Sequence, residues 1–139
     1  MSTPTQLQEV YDCFISKVDE DLTDKESLIF EYFKTAKSKS YKIVPHDLTY
    51  IITDEITYDG NFLLTLDQDE IELIALHMLY EHRNKKESYL LGLRLFVGTK
   101  DFNSLPDKKR ELDGIQNSKK LLKEEIDDLK QQFYDYKYN

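Results

Sequence analysis

The chain has 139 residues, 40% of them apolar and 33% charged, and a formal net charge of −8. That length suits one domain, residues 1–139, with a core that needs no staples, and the plentiful aromatics and periodic apolar positions exclude disorder. An acidic chain repels phosphate, which excludes gripping nucleic acid as a main role; a lone cysteine, Cys13, excludes an internal disulfide; and neither a membrane-spanning apolar run nor a signal-peptide pattern is present, so a soluble chain without classical export is expected.

Leu7, Val10, Tyr11, Phe14 and Val18 recur at helical spacing and predict a first helix over about 5–20. Thr23 followed by Glu26 reads as a capping box for a second helix, with Leu28, Ile29, Tyr32, Phe33 and Ala36 on its apolar face. Pro45 marks a break. Strand-forming Thr, Ile and Tyr then dominate, and Asp59-Gly60 is a two-residue turn signal. The pattern predicts a β-hairpin over about 49–66, with arms near 49–58 and 61–66, projecting from the helical body.

Asp67 and Glu70 form a second capping box. The helix they open carries Ile71, Leu73, Ile74, Ala75, Leu76, Met78 and Leu79 over most of its circumference, which makes it central. Around Asn84–Glu87 the pattern pauses, and "SYLLGLRLFVG" reads as a separate fourth helix with Gly98 as its cap. Pro106 suits the first turn of the last helix, expected from about Leu105 to Tyr134. Its seam is narrow: Leu112, Ile115, Leu122, Ile126, Leu129 and Phe133. The fold class is therefore mainly α, a small helical bundle with a β-hairpin insertion, a long C-terminal helix and an aromatic tail at 131–139.

Chemistry-bearing patterns are weak. His77 and His82 lie five apart, on different faces of one helix, and neither pairs with His46 in a metal-ligand spacing. His77 reads as a core histidine, and His82 as a cation near a helix C-terminus. "DQDE" lacks the glycine and spacing of a calcium loop, and "EEIDD" reads as a solvated helix face. There is no phosphate loop, nucleophile elbow or Cys–His couple. No catalytic residue, metal ligand or cofactor is expected, and the chain reads as no enzyme; a metal-dependent enzyme is an alternative that would need carboxylates and histidines to converge. The lysine clusters at 34–42 and 108–110 sit among acids and read as solvated faces or protein contacts.

Interaction surfaces remain. Tyr50, Tyr58 and Phe62 on the hairpin, and Phe133, Tyr134, Tyr136 and Tyr138 at the end, are candidate partner-binding residues, because tyrosine is favoured at interfaces. Packing on the chain's own core is the other reading.

Four stretches carry a resemblance: "VYDCFISKVDED", "LLTLDQDEIELIALHML", "FVGTKDFNSLPDKKREL" and "FYDYKYN". In this order they resemble the head–tail connector (adaptor or neck ring) proteins of tailed bacteriophages. The resemblance implies a structural virion protein, assembled in the host cytoplasm as a homo-oligomeric ring, dodecameric by resemblance. Such a ring binds the portal protein, extends the channel through which genomic DNA passes, and offers a docking surface to the tail or the next neck protein. It also implies that the tyrosine tail meets the portal or a neighbouring subunit. The alternative is a small phage-encoded cytoplasmic module that binds a host protein.

Overall fold

The computed structural model describes residues 3–138, with side chains described up to Asp135. The order is α1 (Leu7–Ile15), α2 (Glu26–Ser40), β1 (Tyr50–Asp54), β2 (Asp59–Phe62), α3 (Gln68–Val97), α4 (Thr99–Asn103) and α5 (Pro106–Tyr138). The mainly α fold with one hairpin and a long final helix is as the sequence predicts.

α3 is the axis. Leu73, Ile74, Ala75 and Met78 are fully buried, and α1, α2 and α5 all pack on this helix. α5 runs antiparallel beside it, contributing Leu122, Ile126, Leu129 and Phe133 to the main core. Further along, Leu90, Phe102 and Leu112 make a second, smaller core. At 30 residues, α3 is about 45 Å long, so its far half and the start of α5 leave the body as a two-helix arm closed by α4. Glu87 with Lys119, 2.8 Å apart, and Arg83 donating to the Ser118 carbonyl at 3.3 Å hold the arm's helices together.

Several local expectations are corrected. The first helix stops at Ile15, not near residue 20, because the chain tightens into three-residue turns there: Lys17 and Val18 donate to the carbonyls of Phe14 and Ile15. The Lys17 ammonium then reaches Glu72 on α3. The Thr23–Glu26 box does not form: the backbone and hydroxyl of Thr23 both donate to Asp21 Oδ1, and α2 opens after Lys25. The expected break at Asn84–Glu87 is absent. Those residues include no proline or glycine, and Lys and Glu are good helix formers, so one helix runs through to Gly98, whose φ of 91° ends it.

The hairpin exists, but its turn is not at Asp59-Gly60. Both residues lie in β2, and residues 55–58 turn the chain instead. Asp54 drives this by accepting the N–H groups of Ile56 and Thr57, at 2.8 and 3.2 Å, a local turn that asparagine and aspartate favour. Tyr58 takes the left-handed conformation at φ 61°. Gly60 serves close approach: a Cβ there would lie 2.0 Å from the Ile51 carbonyl oxygen.

Nor does the hairpin project. Its second strand is flanked by Thr5, whose carbonyl accepts from Phe62 N–H at 2.8 Å, while Phe62 itself is wholly buried. The last helix also runs further than the end expected near Tyr134: α5 remains helical to Tyr138, so positions 134, 136 and 138 do not share a face.

Candidate assembly surface

The aromatic residues singled out in the sequence divide into two groups. Phe62 packs edge-to-face on Phe33, centroids 5.9 Å apart, which makes it a core residue and corrects its expected place on a partner-facing hairpin. Tyr50 is half-buried against Phe33 at 5.2 Å, and Tyr58 stacks on Phe30 at 4.7 Å. The reason is the platform of aromatic rings that α2 presents to the hairpin. At the other end, Phe133 is buried on the α5 seam and Tyr134 is exposed. The side chains of Tyr136 and Tyr138 lie outside the described residues.

Several polar groups that could carry chemistry are engaged in structure. The buried Glu70 carboxylate accepts from Asp67 N–H at 2.9 Å and from the backbone N–H of His46 at 3.2 Å, and it meets His46 Nδ1 at 2.5 Å. His46, Asp67 and Glu70 are close enough to share a cation. The Glu70 oxygens, however, are already used in capping α3 and pinning the preceding loop, which accounts for the buried charge. Cys13 lies against Glu72 at 3.3 Å, and burial pushes its thiol up to about 11, away from thiolate chemistry. His82 is not at a helix terminus: it is buried in mid-helix beside Tyr32 and Phe14, because α3 continues past it.

The prominent surface lies elsewhere. On the far half of α3, Tyr89, Leu95 and Phe96 are 66%, 88% and 89% exposed. They share the side of the helix opposite Leu90, and Gly92 lies among them with nothing near the place of a Cβ. A glycine inside a helix costs about 1 kcal/mol; here no contact within the chain explains it, and it leaves the face open to close approach. Sequence reasoning missed this surface. "SYLLGLRLFVG" resembles any core helix by composition, and only the placement of α5 on the Leu90 side shows which of its apolar residues stay outside.

Charge divides along the same line. Residues 83–110 carry eight basic and three acidic side chains, a net +5, against −13 for the rest of the chain. Lys85, Arg94 and Lys100 take part in none of the ion pairs among the described residues. A groove of about 400 Å3 lies between α1, the α1–α2 loop and the hairpin turn; Glu20, Asp21 and Leu22 of that loop also line a second groove, with Lys85, Lys86 and Tyr89 of α3. Tyr11, Ile15, Leu22 and Ile29 supply the apolar lining of the first groove, and Glu20, Asp21, Asp24, Glu26 and Asp59 its carboxylates; of these Glu20 is ion-paired with Lys86, and Asp21 accepts from the backbone and hydroxyl of Thr23.

No known protein family, characterised protein or solved structure matches this chain. Among the described residues, no helix is long and apolar enough to cross a membrane.

Proposed function

We propose that the chain is a structural virion protein: a subunit of a head–tail connector ring that binds the portal, extends the DNA channel and presents a docking surface to the tail. The observation that carries this reading is the exposed apolar face of Tyr89, Leu95 and Phe96 on an arm outside the main core. Its area is on the order of 500 Å2, the size at which an apolar patch marks an interaction surface. A chain that spends its polar groups on capping and cross-links, and leaves such a face outside, is organised for assembly. The resemblance of four ordered stretches to neck-ring proteins supplies the kind of assembly. The acidic balance also suits a channel, since a wall that repels phosphate lets DNA slide.

Purified chain mixed with DNA-filled, tail-less heads tests the reading. Co-sedimentation of the chain with portal-bearing heads, and not with heads stripped of their portal, is the expected result. Failure to bind heads, with capture of one host protein instead, would favour the host-binding module.

A further inference from the structure

We propose that the small pocket where α2, α3 and α5 meet is a binding site for a small oxyanion of the phosphate class, held by the ammonium groups of Lys123 and Lys130 and by the imidazole of His77. The site stands apart from the connector reading and does not depend on it.

Two observations carry the site and a third supports it. First, the pocket gathers cations in a chain whose net charge is −8. Lys39 of α2 and Lys123 and Lys130 of α5 line it, and Asp127 is the one carboxylate among the lining residues. The Tyr80 ring, also in the lining, has the Lys39 and Lys119 ammonium groups over it, 5.5 and 5.1 Å from its centroid. Lys39 is engaged by Glu81, but Lys123 and Lys130 take part in no ion pair among the described residues. Second, the pocket is lined by a polar side chain that the fold leaves unsatisfied. His77 is 5% exposed, and its Nε2 is buried without a hydrogen-bond partner. Buried polar atoms are almost always paired, so a lone one beside two unpaired ammonium groups points to a partner from outside the chain. Third, a positive potential acts on the imidazole itself. After burial, Lys130 and then Lys39 do most to hold its pKa low, at about 4, and Glu81 and Asp127 oppose them more weakly.

Size and charge name the ligand. A volume of about 180 Å3 is well below the roughly 300–1,000 Å3 of pockets for whole organic ligands and suits a single ion. Neutral imidazole can carry its proton on Nε2 and donate it, and each lysine adds a charge-assisted hydrogen bond. An oxyanion accepts from all three groups. A cation would be repelled by the lysines, and an apolar group would leave Nε2 unpaired. The phosphates of DNA share this chemistry, but a chain of net charge −8 repels a polyanion, so the free ion is the occupant.

Inorganic phosphate titrated into the full-length chain tests the site. The His77 and α5 resonances are followed by NMR at constant ionic strength, with chloride making up the balance. The shifts should saturate, with half-saturation on the order of 1 mM. Phosphate should also raise the pH at which His77 titrates, because a nearby anion favours the imidazolium. Lys123→Met and Lys130→Met keep most of the side-chain stem and should each weaken binding at least ~10-fold. Asp127→Asn removes a repelling carboxylate and should tighten binding, an opposite effect that a damaged fold does not produce. Shifts that respond to chloride as they do to phosphate overturn the proposal. So does a half-saturation point that either lysine substitution leaves unmoved. Perturbation of the pocket by a short DNA duplex but not by inorganic phosphate also overturns it, and assigns the cations to nucleic acid.

Discussion

The Tyr58 ring lies on the Phe30 ring, centroids 4.7 Å apart and planes inclined by 17°. The Tyr58 carbonyl also accepts from the Tyr11 hydroxyl at 2.9 Å. These contacts clamp the hairpin turn to α1 and α2 and hold one wall of the groove. Replacing Tyr58 with alanine should cost about 1–2 kcal/mol in urea unfolding, from the lost aromatic pair and its buried area. Tyr58→Gly should cost less than Tyr58→Ala, because the backbone there is left-handed at φ 61°. Equal stability of Tyr58→Ala and wild type would mean that the turn does not rest on α2.

Ile74 is wholly enclosed where α1, α2 and α5 converge on α3. Aspartate at this position would bury a charge with no partner, which costs several kcal/mol out of a total of roughly 5–15. The Ile74→Asp chain should fail to fold, with loss of helical circular dichroism and not merely of assembly. A helical, cooperatively melting Ile74→Asp monomer would contradict the central place given to α3.

Stability should fall in mild acid. His77 is buried, and burial, with smaller contributions from Lys130 and Lys39, pushes its imidazole down to about 4. In the unfolded chain it titrates near 6.5, so between these values the unfolded chain binds the proton and the folded chain does not. The stability is whole above pH 6.5 and declines as pH falls toward 4, by roughly 2–3 kcal/mol. His82, also lowered by burial and then by Arg83 and Lys85, adds in the same direction. Urea midpoints measured across this window should show the slope, and His77→Leu should reduce it. An unchanged slope in that variant would show that His77 is not held neutral.

Much of the fold could be read from the residues. The stripes of α1 and α2, the Asp67–Glu70 cap, the apolar girth of α3, Pro106 at the start of α5 and the seam to Phe133 all depend on local spacing, which the tertiary structure preserves. What failed depended on competition between local signals. Asp59-Gly60 is a good turn, but the side chain of Asp54 closes a different one first, and the glycine is needed because the Ile51 carbonyl lies against it. Asn84–Glu87 reads as polar interruption, yet on a two-helix arm polar residues belong wherever solvent or a salt bridge to α5 meets the helix. The exposed apolar face of α3 was the least legible part. Leu90 and Leu95 are the same residue type five positions apart, one buried on α5 and the other 88% exposed, and no local rule separates them.

Phe133 is the last buried position described on the α5 seam. Phe133→Ala should cost about 3 kcal/mol, as for other large-to-small core changes. Deleting residues 134–139, beyond that position, should leave the melting temperature within a few degrees of wild type while abolishing attachment to portal-bearing heads. A large fall in melting temperature, or undiminished attachment, would contradict the role given to the terminal tyrosines.

The most direct measurement is the protein content of purified, infectious virions, taken by quantitative mass spectrometry with the portal protein as internal standard. The account predicts that this chain is present in fixed proportion to the portal and remains after washing in moderate salt. Its absence from such particles, with abundance confined to the infected-cell lysate, would contradict a place in the neck.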